Sequence, residues 1–255
     1  MAAEKTESII LSVAPYRETS CILRLFTRSH GLVHGIAKGA RRSGGKSAPT
    51  PLDRGLLLDA LLYHRPNREL HTLGGLHVAN FFHGIRADIT KSALRDVALE
   101  LYLKSITEPS PHPELFELLF GFLDGLDGVD SVDTVDKVNT VAVIDIINTD
   151  NIVNANSAVN LAADNMNAAF FLLWRFIAEY CEHTGFGIDT ENYTGGIDSR
   201  IVNIISDGNA GGPRNRYSIG ECVNVTERLL LYCRRHFDIR TAFNSMEFIR
   251  GIITS

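Results

Sequence analysis

Short apolar runs separated by turn-forming residues fill the first eighty positions of the chain. Ser8-Ile-Ile-Leu-Ser-Val, Cys21-Ile-Leu-Arg-Leu-Phe-Thr, Gly31-Leu-Val-His-Gly-Ile-Ala, Leu56-Leu-Leu-Asp-Ala-Leu-Leu-Tyr and Glu69-Leu-His-Thr-Leu are five candidate strands. Between them lie Pro15-Tyr-Arg-Glu-Thr-Ser, Arg28-Ser-His-Gly and His64-Arg-Pro-Asn-Arg, whose proline, glycine and small polar residues favour turns. Five strands this short and this close together fit an OB-fold, a partly open barrel, and an SH3-like barrel fits the pattern almost as well.

From residue 86 the apolar period lengthens to the helical one. Asp88 or Thr90 can cap a helix running through Leu94, Val97, Leu101 and Ile106, and Pro113 takes a first-turn position before Leu115, Leu118, Leu119 and Phe122. Further helices are predicted over 168–183, ended by Gly185, over 223–236 and over 242–252. Between these segments, residues 128–168 hold 14 Asn and Asp in 41 positions, with Val129, Val132, Val135, Val138 and Val141 recurring every third residue. A period of three matches neither helix nor strand, so an irregular or poorly ordered insertion is expected there. The expected architecture is α+β and multidomain: an N-terminal OB-fold β-barrel over 1–82, then an α-helical domain over 83–255 containing the insertion at about 128–168.

Charge sharpens this division. The formal net charge of the 255 residues is −5, yet residues 1–80 contain eleven Lys and Arg against six Asp and Glu. The cations concentrate in Gly35-Ile-Ala-Lys-Gly-Ala-Arg-Arg-Ser-Gly-Gly-Lys46, where glycines let backbone approach a bulky polyanion and Lys38, Arg41, Arg42 and Lys46 supply countercharge. Arg65 and Arg68 follow in a later turn. Such a loop beside a barrel face suits phosphates of nucleic acid, and Tyr16, Phe26 and Tyr63 are candidates for base stacking, Phe26 fitting a core position better. Gly45-Lys46-Ser47 imitates the end of a nucleotide-binding P-loop, but Ala40 stands where its first glycine is required. The prolines at 49 and 51 also break the helix that must follow.

Other chemistry has little to build on. Cys21, Cys181, Cys222 and Cys233 have no metal-ligand spacing, so buried reduced thiols are expected and neither a metal nor a cofactor is. Aspartates in the Asn/Asp/Val tract lack the glycine and closing glutamate of a calcium loop. His30, His34, His64 and His71 have no acidic partner placed by spacing, and no nucleophile or metalloprotease motif occurs, which argues against an enzyme. No apolar run reaches the ~20 residues of a spanning helix, and the N-terminus lacks a signal-peptide pattern, so a cytoplasmic protein without membrane contact is expected.

Tyr16-Arg-Glu-Thr-Ser, Leu25-Phe-Thr-Arg-Ser-His-Gly-Leu-Val, Ala37-Lys-Gly-Ala-Arg-Arg and Arg68-Glu-Leu-His-Thr-Leu together resemble the N-terminal domain of the bacterial recombination mediator family RecO. Pro113-Glu-Leu-Phe-Glu-Leu-Leu, Leu173-Trp-Arg-Phe with Gly185-Phe-Gly, and Ser245-Met-Glu-Phe-Ile-Arg are similar to its helices. The resemblance implies a DNA-repair protein without a chemical step, nucleoid-associated, that binds single- and double-stranded DNA and anneals complementary strands. With RecR, it would help load RecA onto DNA coated with single-strand-binding protein. It further implies that Lys38, Arg41 and Arg42 contact phosphate, with Lys46, Arg65 and Arg68 behind them, and that Arg175 lies near the pocket for the acidic tail of single-strand-binding protein. Many family members carry a four-cysteine zinc site after the Gly-Phe-Gly turn; Ile188-Asp-Thr-Glu-Asn-Tyr-Thr-Gly-Gly has no cysteine, so zinc is not carried over. The alternative from the residues alone is a protein–protein adaptor whose barrel binds a partner and whose basic loop is incidental.

Overall fold

A computed structural model describes residues 3–41, 51–63, 68–130, 152–188 and 217–254. The strands β1 (Ala3–Tyr16), β2 (Ser20–Thr27), β3 (Gly31–Ala37), β4 (Leu57–Tyr63) and β5 (Leu70–Asn80) close into a barrel in the order β1-β2-β3-β5-β4. β1 pairs antiparallel with β2 from Ser8↔Thr27 to Tyr16↔Ser20 and with β4 from Ala3↔Tyr63 to Ile9↔Leu57. A register shift between Ile10 and Ser12 bends β1 so that one strand serves both neighbours. β3 and β5 run parallel from His34↔Leu70 to Ala37↔Leu73, which completes the OB-fold and sets the SH3-like alternative aside.

Alternation along each strand decides what faces inward. Leu23, Leu25, Val33, Leu58, Ala60, Leu62 and Leu73 fill the barrel, while Arg24 between two of them is exposed. Gly35 belongs to this packing, because a Cβ there would sit 2.4 Å from Leu73 Cγ. Gly31 turns the chain into β3 at φ +65°, and its missing Cβ leaves room for the Ser110 carbonyl oxygen, which a Cβ would meet at 1.9 Å.

Two compact units emerge: residues 1–82 with 99–120, and residues 83–98 with 121–255. In the first, parts of α2 (Ile89–Ser105) and α3 (Pro113–Gly128) cover one side of the barrel. Phe26, fully buried, packs edge-on against Tyr102 at 5.0 Å and near-parallel to Phe116 at 6.4 Å, which makes it a core residue and not a stacking platform. Tyr102 donates its hydroxyl to the Leu115 carbonyl at 2.7 Å, and Arg28 lies over the Phe116 ring while pairing with Glu7 and Glu117.

The second unit is helical, with α1 (His83–Arg86), α4 (Ile152–His183), α5 (Ile219–His236) and α6 (Asn244–Thr254). Asp88 starts α2 by accepting the Lys91 N–H at 3.0 Å, and Ser218 with Glu221 forms a reciprocal capping box at the start of α5. Helix α4 extends back to Ile152, into the stretch for which an irregular course was expected; the alanines at 155, 158, 162 and 163 offset the poor helix propensity of the asparagines between them. Residues 131–151 of that tract lie outside the described residues. α4 and α5 are joined by the buried Trp174 indole N–H donating to Thr226 Oγ1 at 2.9 Å and by Cys181 and Cys233, whose sulfurs are 3.6 Å apart. All four cysteines are buried free thiols; burial pushes the Cys222 thiol up to about 12. Among the described residues no helix is long and apolar enough to cross a membrane.

Candidate nucleic-acid interface

β2, β3 and β5 present a continuous outer face whose composition follows from strand parity. The cross-strand register aligns Ile22 with Ile36 and Arg24 with His34, and the parallel ladder adds Leu70 beside His34 and Thr72 beside Ile36. These side chains are half-buried apart from the exposed Arg24, so apolar and polar groups share one surface. The β1–β2 turn rims it. Residues Tyr16 to Ser20, with Ile36, Lys38, Gly39, Leu70, His71 and Thr72, enclose a cleft of about 910 Å³.

The start of the glycine-rich basic segment is held against this rim. The Arg41 N–H donates to the Thr19 carbonyl at 2.9 Å, which ties the stem of the segment to the β1–β2 turn. Lys38 and Arg41 are both exposed there. Arg17, in the turn at φ +53°, lies 5.3 Å from the Tyr16 ring centroid, and Arg68 enters β5 at the far end of the face.

Several other cations of the protein are ion-paired, whereas these are not. Among the described residues, Arg17, Arg24, Lys38, Arg41 and Arg68 enter no salt bridge. Lys5 pairs with Asp59, Arg28 with Glu7, Arg95 with Asp96, Lys104 with Glu100, Arg240 with Asp238 and Arg250 with Glu227. The acidic neighbours on the face are Glu18 and Glu69. Cations that enter no salt bridge beside a half-apolar cleft can supply countercharge to an external polyanion. His34 is not one of its standing charges, since burial, and then Arg24, holds its pKa below the ordinary value while Glu69 opposes them.

The structure therefore brings together Lys38, Arg41 and Arg68 of the residues expected from sequence, and adds Arg17 and Arg24. Tyr16 lines the cleft, whereas Tyr63 lies on β4 beside Gly74. Arg42, Lys46 and Arg65 lie outside the described residues. Arg175 is in the helical unit, exposed on α4 and paired with Glu179 one turn on at 2.6 Å. Arg24 was legible in principle, being the outward-parity cation of an otherwise apolar strand; Arg17 carried no signal beyond its place in a turn. Among the described residues, no three His, Cys, Asp or Glu side chains are grouped to hold a metal ion.

Barrel, cation-rimmed face and helical second half define an OB-fold protein with a helical extension. Residues 1–82 match the family model for the Recombination protein O N terminal region and residues 86–138 that for its C terminal region. Proteins named DNA repair protein RecO are similar to this chain: that of Geobacter metallireducens is 35% identical over 126 residues, covering 49% of this chain and 50% of the relative. The Syntrophobacter fumaroxidans protein is 34% identical over 119 residues (47% and 46%), and that of Listeria monocytogenes serotype 4a is 31% identical over 120 residues (47% and 46%). The chain thus spans about half the length of the curated relatives it matches. It belongs to the Recombination protein O family of DNA repair proteins.

Proposed function

We propose that this protein is a non-catalytic recombination mediator that binds single-stranded DNA on the outer face of its barrel and anneals complementary strands. The observation that carries this reading is a set of cations outside any salt bridge among the described residues: Arg17 and Lys38 line the cleft, Arg41 is tied to its rim, and Arg24 and Arg68 lie on the same barrel face. Annealing needs two mutually repelling strands held close with their bases free, and phosphate-directed cations on a barrel surface meet that need without a reactive group. Double-stranded DNA is bound through the same countercharge. Family membership supports the wider role: acting with RecR to help load RecA onto DNA coated with single-strand-binding protein, in the cytoplasm at the nucleoid. Arg42, Lys46 and Arg65 extend the phosphate-binding set, and Arg175 is the residue proposed to meet the tail of single-strand-binding protein.

The test is binding of labelled single-stranded DNA across a salt series by the native protein and by Lys38→Glu/Arg41→Glu. Native affinity is expected to fall steeply with salt, and the double variant to bind at least about tenfold more weakly, with a logarithmic salt slope shallower by roughly two. Unchanged affinity and slope in the variant would remove the site assignment. Absence of binding by both forms would favour the adaptor alternative.

A further inference from the structure

The β3–β5 ladder begins only at His34↔Leu70. Before that point Leu32 and Val33 diverge from Arg68 and Glu69, and a second hollow of about 700 Å³ opens with Leu62 among its lining residues. Thr107, Pro109 and Pro111, from the segment between α2 and α3, supply another part of its lining. His71 lines both this hollow and the cleft at the β1–β2 turn, so the two are neighbours along one face. The chemistry differs between them. The first sets two cations, Arg17 and Lys38, against Glu18; the second is mainly apolar, sets the single cation Arg68 against Glu69, and carries His30 and His34. Glu69 is exposed, and no salt bridge engages it among the described residues.

With its one cation matched by a carboxylate, this groove offers a phosphate no net countercharge, so it is not a continuation of the backbone track. It suits a base. Proline and leucine surfaces and imidazole rings receive the flat apolar face of an unstacked base, as aromatic and histidine side chains do in single-strand recognition. A carboxylate accepts hydrogen bonds only, and guanine is the base whose Watson–Crick edge offers adjacent ring N–H and amino donors for both its oxygens. The Arg68 guanidinium, a donor, is the neighbour that suits guanine O6.

The geometry points to a nucleobase subsite: the groove of Leu32, His34, Glu69, Pro109 and Pro111 takes one guanine turned out of a single strand whose phosphates lie along Arg17, Lys38 and Arg41. This rests on the proposed DNA-binding face and adds a sequence preference to it. An acidic protein tail would meet the Glu69 carboxylate in this groove.

The experiment compares a labelled oligothymidylate of about twelve residues, within the range that one OB-fold occupies, with the same strand carrying one central guanine. The native protein is expected to bind the guanine strand about tenfold more tightly, the lower part of the range for a bidentate base contact. Inosine, which lacks the amino group, should recover part of that gain. Glu69→Gln should bring the two strands to within about twofold of each other, while the salt slope stays the same because no phosphate contact is touched. Equal affinity for both strands in the native protein, or a guanine preference that survives Glu69→Gln, would overturn the subsite and leave the DNA-binding face standing. Failure of the oligothymidylate to bind at all would overturn both.

Discussion

His34 is where solvation and charge act against each other most plainly. Burial and Arg24 disfavour its imidazolium, Glu69 favours it, and the net effect lowers its pKa. His30, His71, Arg68 and Glu69 line the same groove, and Arg24 faces it from β2. Because the folded state holds the proton less tightly than the unfolded chain, stability is full above the ordinary histidine pKa of about 6.5 and declines as pH falls from there toward the lower folded value. Replacing His34 with Gln removes this contribution. Thermal melts at pH values either side of that window should therefore show the native protein losing more than His34→Gln on acidification; equal losses would mean that the imidazole is as free to protonate in the fold as outside it. At the same scale, Lys38 and Arg41 stand out in the sequence because glycines surround them, whereas Glu69 and His34 do not, because their neighbours Pro109 and Pro111 lie some forty residues from the one and some seventy-five from the other.

At the scale of elements, α4 and α5 show how one polar group fixes a helix pair. Thr226 Oγ1 receives the Trp174 indole N–H and itself donates to the Cys222 carbonyl at 2.9 Å, so a buried donor and its acceptor are both satisfied. Thr226→Val keeps the shape and leaves the indole N–H unpartnered. The expected cost is about 1–3 kcal/mol in denaturant unfolding, whereas Thr226→Ser, which keeps the oxygen, should cost less than Val. A Val variant as stable as the native protein would show that the bond contributes nothing net. Element boundaries were legible to different depths. β2, β3 and β4 lie where apolar runs placed them because those strands are buried on their inner faces. β1 starts at Ala3 and β5 runs to Asn80, further than expected, because Ala3, Glu4, Lys5 and His77 pair through backbone while their side chains stay exposed. Exposed ladder positions leave no hydrophobic trace.

For the whole molecule, the alternation of the first eighty residues was enough to suggest a five-stranded barrel, and the parallel β3–β5 pair distinguished the OB-fold from its rival. No pattern along the chain announces that residues 99–120 belong with that barrel, since their helical periodicity is the same whichever unit they pack in. Their placement depends on Phe26, an aromatic on a strand that reads as interior and is covered by Tyr102 and Phe116 instead of by other strands.

Barrel closure also sets an order of events in time. β1 joins β2 and β2 joins β3 across turns of a few residues, and the β3–β5 ladder closes about 36 residues, but the ladder from Ala3↔Tyr63 to Ile9↔Leu57 spans some fifty to sixty residues of chain, and its ends must meet before any bond in it forms. That seam is expected to form after the folding transition state. Ser8 Oγ donates to the Leu58 carbonyl across it at 3.1 Å, so Ser8→Ala reports on it directly. A loss of about 1 kcal/mol should emerge mainly as faster unfolding with refolding nearly unchanged. A slowed refolding limb would instead place the seam in the nucleus. In the expected case, the barrel would be held shut by the contact it makes last, and its working lifetime would be set by how rarely that one seam opens.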